Sequence, residues 1–185
     1  MKVKEANPDL IYMVSYLADA SLLMKQSAEL QISPKVFVGG GAGFTLPEFI
    51  QNVGKNGNMV FSATLWYQTL PYPGARKYYD KFVKRYRIET EYHGAEGYAS
   101  AFVIADALNR TKAITRDGVR DSLSKTDMTT VFGPVKFASY DKMTNQNRLP
   151  TYLVQWIDGK LELVWPKEVA SKSFVYPVDW EKIRK

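Results

Sequence analysis

The stretch Asn7-Pro8-Asp9-Leu10-Ile11-Tyr12-Met13-Val14-Ser15-Tyr16 decides the fold, together with the helix and strand next along the chain. Leu10 to Ser15 is a short run rich in β-branched and aromatic residues. It leads into a helix-patterned segment from about Leu17 to Leu30, and Lys35 to Gly39 is a second short apolar strand that ends in Gly39-Gly40-Gly41. Strand, helix and strand in this order make one βαβ unit, whose ligands gather at the carboxyl ends of the parallel strands. Ser15 and Tyr16 close the first strand, and Gly40 and Gly41 close the second, so these four residues stand where a small molecule would be held. The unit reads as the middle of an α/β domain, with part of the sheet expected in front of it.

Beyond this unit, Thr45-Leu46-Pro47-Glu48 has the spacing of a capping box with proline in the first turn, and predicts a short helix to about Val53. Met59 to Ser62 reads as a third strand. Ala63 to Gly74, with Trp66, Tyr67 and Tyr72 and its prolines, reads as an irregular, stiffened connection suited to a passage between lobes. In the next segment Ala75, Tyr79, Phe82, Val83 and Tyr86 recur at helical spacing as an apolar stripe. Gly94 to Leu108 predicts a helix with Tyr98, Phe102, Ala105 and Leu108 on one face and small residues, Ala95, Gly97, Ala99 and Ala101, that allow close packing on a sheet, and Thr115 caps a helix to Leu123. Thr130 to Phe137 predicts short paired strands, and Thr151 to Ile157, Asp158-Gly159 and Leu161 to Val164 predict a hairpin. The last residues, 166 to 185, carry no period.

Composition narrows the function classes. In 185 residues, 45% hydrophobic with 14% aromatic is ample for a packed core. No run approaches the roughly 20 apolar residues of a membrane helix, and Met1 to Glu5 lacks an apolar signal region. The absence of cysteine excludes disulfides, thiolate metal sites and a cysteine nucleophile. The net charge of +6 concentrates in Arg76, Lys77, Lys81, Lys84, Arg85 and Arg87, on the wet side of the predicted amphipathic helix. A nucleic-acid groove needs aromatics exposed among the basic residues, so no nucleic-acid partner is expected. The glycines at 39 to 43 fail the GxGxxG spacing because position 44 is Phe, and no cofactor is expected. His93 is the only histidine and has no cysteine or carboxylate pair around it, so no metal site is expected. The serines lack a nucleophile elbow and a triad, and the chain reads as a non-enzyme.

The order of motifs is itself informative. Asn7-Pro8-Asp9 before a strand, Tyr16 at its end, Lys25-Gln26-Ser27-Ala28, Gly97-Tyr98, Gly133-Pro134-Val135-Lys136-Phe137, and Val154-Gln155-Trp156 through Asp158-Gly159-Lys160 together resemble the branched-chain amino-acid binding proteins of ABC importers. These are type I periplasmic solute receptors, and the resemblance covers their second half only. It implies a Rossmann-like parallel sheet with flanking helices, as part of a two-lobe fold that closes on a ligand. By that analogy residues 1–64 are the later part of the second lobe, 65–165 the returning part of the first with crossing strands, and 166–185 a C-terminal tail. A signal peptide and most of the first lobe would lie in the part not matched.

Carried over residue by residue, the resemblance places Tyr16 against the ligand. Position 40, where amino-acid-binding members carry an acid for the ligand ammonium, is Gly40. A buried unpaired ammonium is costly, so either Glu96 or, less well placed, Asp19 substitutes, or the ligand is a carboxylate or amide without an ammonium. His93 aligns with a position that packs on the ligand side chain, and Trp66 lies at the lobe crossing. The implied partners are the small ligand and a membrane permease, in the periplasm or outside the cell, with a homodimer possible for the fragment. The rival reading is a ligand-sensing regulatory domain of the same fold.

Overall fold

The computed structural model describes residues 2–185. In chain order the elements are α1 (Lys2–Ala6), β1 (Leu10–Val14), α2 (Leu17–Glu29), β2 (Val36–Gly40), α3 (Pro47–Val53), β3 (Phe61–Thr64), α4 (Ala75–Tyr86), α5 (Tyr92–Arg110) and α6 (Arg116–Leu123). Then come β4 (Asp127–Thr130), β5 (Gly133–Lys136), β6 (Ala138–Tyr140), β7 (Met143–Gln146), β8 (Tyr152–Ile157), β9 (Lys160–Trp165) and α7 (Trp180–Arg184). The chain divides into two compact units, residues 1–64 with 151–185, and residues 65–150.

The first unit is an α/β sheet in the order β1-β2-β3-β8-β9. β1, β2 and β3 run parallel, while β8 pairs antiparallel with β3, and β9 with β8. The hairpin of residues 151–165, grouped by sequence with the second segment, thus extends the first unit's sheet. One face of the sheet packs on α2, α3 and α7 through Met13, Phe37, Val60 and Trp156, against Met24, Phe49 and Trp180. Both tryptophans satisfy their ring N–H inside this core: Trp156 donates to Phe44 O at 2.7 Å and Trp180 to Pro34 O at 2.7 Å. The other face carries Val36, Phe61, Ile157 and Val164, with Val38 and Leu153 beside them. The segment after β9 crosses that face as a strap. It is held by the fully buried Gln155, whose Oε1 accepts from Val175 N–H at 2.9 Å and whose Nε2 donates to Val175 O at 3.0 Å.

The predicted capping box does not form. α3 begins at Pro47 with Leu46 as its cap and no side-chain bond, because the Thr45 hydroxyl donates instead to Ala42 O at 3.3 Å, closing the preceding 3₁₀ turn. The third strand starts later than expected, at Phe61, since Met59 has φ +66° and donates its N–H to Trp156 O at 2.6 Å.

The second unit is helical with two hairpins, β4–β5 and β6–β7. α5 packs on α6 through Ser122, whose hydroxyl donates to Ala107 O at 2.8 Å, and on α4 through the Tyr78 and Tyr98 rings, 4.7 Å apart. On α4 the expected stripe is mostly covered, with Ala75 buried and Tyr79, Phe82 and Val83 half-buried beside a buried Tyr78, whereas Tyr86 is 54% exposed. On α5, Ala95 and Ala99, two of the small residues expected to pack closely, are buried together with Ala107, while the expected face of Tyr98, Phe102 and Leu108 lies open. Within this unit the described residues form no sheet larger than a hairpin, so the neighbouring helices, and not a sheet, decide which face is covered. No helix among the described residues is long and apolar enough to cross a membrane.

Candidate functional site

In the first unit, the carboxyl ends of β1 and β2 meet. Their register pairs Val14 with Gly40, and Ser15 N–H then donates to Gly40 O at 3.1 Å. The chain after β2 turns back over β1, with Gly43 N–H donating to Ser15 O at 3.2 Å. This return needs glycine twice. Gly41 has φ +85°, a region side chains avoid, and a Cβ on Gly43 would run into the Tyr16 backbone. Ser15, Tyr16, Gly40 and Gly41, four of the residues singled out by sequence, are therefore brought together.

Their chemistry is that of an open, donor-rich ledge. Tyr16 caps α2 in extended conformation (φ −85°, ψ 175°) without a side-chain hydrogen bond to the helix, and is 79% exposed. The Ser15 hydroxyl is buried and has no partner among the described residues. The first turn of α2 thus presents uncapped backbone N–H groups and the positive end of the helix dipole beside an unused hydroxyl and a phenol. Such a ledge suits a carboxylate or carbonyl oxygen. At Gly40 a Cβ would meet the Tyr12 hydroxyl, so the place of the absent acid is covered by a tyrosine from β1. Asp19, the lesser substitute acid, sits exposed in the first turn of α2.

The remaining three residues lie in the second unit. Trp66 is buried, its ring edge-on to Tyr78 with centroids 5.9 Å apart and its N–H donating to Val131 O at 2.8 Å, so it serves that unit's core. His93 is half-exposed at the start of α5. Its Nδ1 lies 2.8 Å from Glu91 Oε2, the same oxygen accepts His93 N–H at 3.1 Å, and its ring stacks on Tyr92 at 4.0 Å. Glu91 is thus the cap of α5, a role that sequence reading missed although a glutamate just ahead of the helix was visible. Glu96 faces a cavity of about 690 Å³ shared with Ser100, Thr130, Phe132, Asn147 and Arg148. Arg148 was not singled out, since it is distant in sequence and reaches the cavity only through the turn after β7. Among the described residues no group of His, Cys, Asp or Glu could hold a metal ion.

Residues 1–160 match the family model described as periplasmic binding protein. Among curated proteins, Leu/Ile/Val-binding protein homolog 7 of Brucella melitensis is 27% identical over 183 residues, covering 96% of this chain and 46% of its own length. The chain spans about half the length of the curated relatives it matches. Among solved structures, the leucine-binding protein LivK of Thermotoga maritima superposes with a TM-score of 0.71 at 19% identity, over 88% of this chain and 46% of that one. The branched-chain amino-acid binding protein LivJ of Streptococcus pneumoniae, in complex with isoleucine, gives 0.70 at 23% identity, over 91% and 45%. A solute-binding protein of R. palustris in complex with benzoate gives 0.69 at 17% identity, over 86% and 43%.

Proposed function

The chain belongs to the periplasmic binding protein family, and from that premise we propose that it is part of the solute-binding component of an ABC importer of the branched-chain amino-acid type. The whole receptor works outside the cytoplasmic membrane, binds its ligand between two lobes, does no chemistry on it, and passes it to a membrane permease. Residues 1–64 with 151–185 contribute to one lobe and residues 65–150 to the other. Ligand contacts that exist only in the closed form favour closure, and the affinity reflects that difference. Periplasmic binding proteins are a known example of such hinge closure.

The observation that carries this reading is the ledge at the carboxyl ends of β1 and β2. There an exposed Tyr16, a buried and unpartnered Ser15 hydroxyl, and the backbone of Gly40 and Gly41 converge at the start of α2. Ser15 and the α2 amides take a carboxylate or amide oxygen, and the Tyr16 ring packs on the ligand body.

Gly40 sets the ligand class. With no acid at that place and Tyr12 over it, an α-ammonium would be buried without a counter-charge. The ligand is therefore a carboxylate or amide lacking the ammonium, in the manner of the neighbour that binds benzoate rather than the one that binds isoleucine. A thermal-shift screen of benzoate, short carboxylates, amides and aliphatic amino acids tests this, since a ligand at 100 times its dissociation constant stabilises by about 2.7 kcal/mol. Stabilisation by leucine but by no carboxylate or amide would contradict it.

A further inference from the structure

The shape of the ledge depends on the path of residues 39–44, because Gly43 N–H donates to Ser15 O and so draws the chain after β2 over Ser15 and Tyr16. Two side chains from more distant strands bond to this backbone. At its start the Ser62 hydroxyl of β3 donates to Gly39 O at 3.0 Å, and at its end the Trp156 ring N–H of β8 donates to Phe44 O at 2.7 Å. The two ends also touch, since a Cβ on Gly39 would run into the Phe44 ring. Phe44 is fully buried and Trp156 is 3% exposed. Water therefore cannot replace the indole N–H, and a Phe44 carbonyl left without its donor has to move or stay unpaired.

The same core holds a matched counterpart. Trp180 is as deeply buried, belongs to the same cluster of side chains and donates its ring N–H to Pro34 O, also at 2.7 Å. The two acceptors lie beyond opposite ends of β2: Pro34 precedes Val36, and Phe44 follows Gly40. Two equivalent bonds thus anchor the chain on either side of one strand. Only the bond from Trp156 adjoins Gly43 and, through it, Ser15 and Tyr16.

We propose that Trp156 is a positioning residue of the ligand site: by holding Phe44 O it fixes the backbone of residues 41–43 against Ser15 and Tyr16, in the shape that receives a carboxylate or amide oxygen. The inference rests on the solute-binding reading of the ledge and adds to it a residue that acts through Phe44. A site shaped before its ligand arrives loses less freedom on binding. Removing the anchor therefore weakens binding, beyond any effect on stability.

Urea denaturation, benzoate calorimetry and amide hydrogen exchange, on the 185-residue chain and two variants, test it. Trp156→Phe and Trp180→Phe each keep a ring and remove one N–H from the same core, so a similar loss of stability is expected from both. Only Trp156→Phe should weaken benzoate binding, by about fivefold, the worth of one hydrogen bond. Only there should the Gly43 amide exchange faster. Binding and Gly43 exchange that respond alike to the two substitutions overturn the proposal. A wild-type chain that binds no benzoate counts against the solute-binding reading, and the Gly43 comparison alone then decides whether Trp156 holds the loop. If Trp156→Phe does not fold, the wild-type chain decides. On adding benzoate the indole N–H signal of Trp156 is expected to move in step with the Gly41 and Gly43 amides while that of Trp180 stays still, and an unmoved Trp156 signal overturns the proposal.

Discussion

Replacing Gln155 with leucine removes the buried amide that fastens the C-terminal strap to the sheet. Gln155 is fully buried and makes three hydrogen bonds: with Val175 N–H at 2.9 Å, Val175 O at 3.0 Å and Met59 O at 3.1 Å. At a net value of roughly 0.5–1.5 kcal/mol each, the bonds together are worth about 1.5–4.5 kcal/mol. Part of this is recovered, because Val175 is 40% exposed and water can replace its partner, and because leucine brings no amide to desolvate. A loss of about 2 kcal/mol is expected, which at roughly 2–4 °C per kcal/mol for a chain of this length lowers the melting temperature by about 4–8 °C. Urea denaturation followed by tryptophan fluorescence reads the stability of the first unit, where Trp156 and Trp180 are buried. Limited trypsin digestion reads the strap itself, with faster cleavage expected after Lys172. Unchanged stability together with unchanged cleavage would refute the idea that this side chain holds the strap.

Three further outcomes rest on the same geometry. Tyr16→Ala should weaken ligand binding by about 1–3 kcal/mol, the loss of one buried hydrogen bond with its ring contact, and calorimetry alongside thermal melting should find the fold intact, since the side chain is 79% exposed. Gly43→Ala places a methyl group against the Tyr16 backbone and should cost about 1–3 kcal/mol of stability, as overpacking does, measured by urea denaturation. Tyr79 is pushed up to about 12, first by burial and then by the Glu89 carboxylate. The folded state thus holds this proton more tightly than the unfolded state, so its contribution is complete below pH about 10 and declines as pH rises from there through about 12. Absorbance titration at alkaline pH should find late-ionising tyrosine absorbance that is reduced in Tyr79→Phe.

What could be read from the sequence was local. The βαβ unit was legible from two apolar runs flanking a helical period, and it brought Ser15, Tyr16, Gly40 and Gly41 together because parallel strands place their carboxyl ends side by side. The β8–β9 hairpin was legible from Asp158-Gly159, whose φ values of 52° and 74° are those of the turn this pair favours. Features decided by distant partners were hidden. Trp180 is buried by a bond to Pro34, and the strap depends on a glutamine twenty residues before it. Trp66 stands just past the boundary between the two units, and its packing on Tyr78 joins residues too far apart in sequence to be read there. The exposure of Tyr86 on α4 and of the aromatic face of α5 was hidden for the same reason. A hydrophobic stripe says that some face is wanted inside, but which residues are covered depends on neighbours: on α5 the small Ala95, Ala99 and Ala107 are buried, and the larger Tyr98 and Phe102 stay largely open. Thr45 had a capping sequence, and a closer backbone acceptor at Ala42 took its hydroxyl.

The functional reading stands or falls on a carboxylate or amide ligand being held at the carboxyl ends of β1 and β2. A two-dimensional amide NMR titration of the labelled chain with benzoate, and separately with leucine, up to millimolar concentration, reads this residue by residue. Saturable shifts are expected to concentrate at Ser15, Tyr16, Gly40, Gly41 and the first turn of α2, stronger with benzoate than with leucine. Shifts that centre elsewhere, or leucine perturbing this ledge more strongly than benzoate, would contradict it.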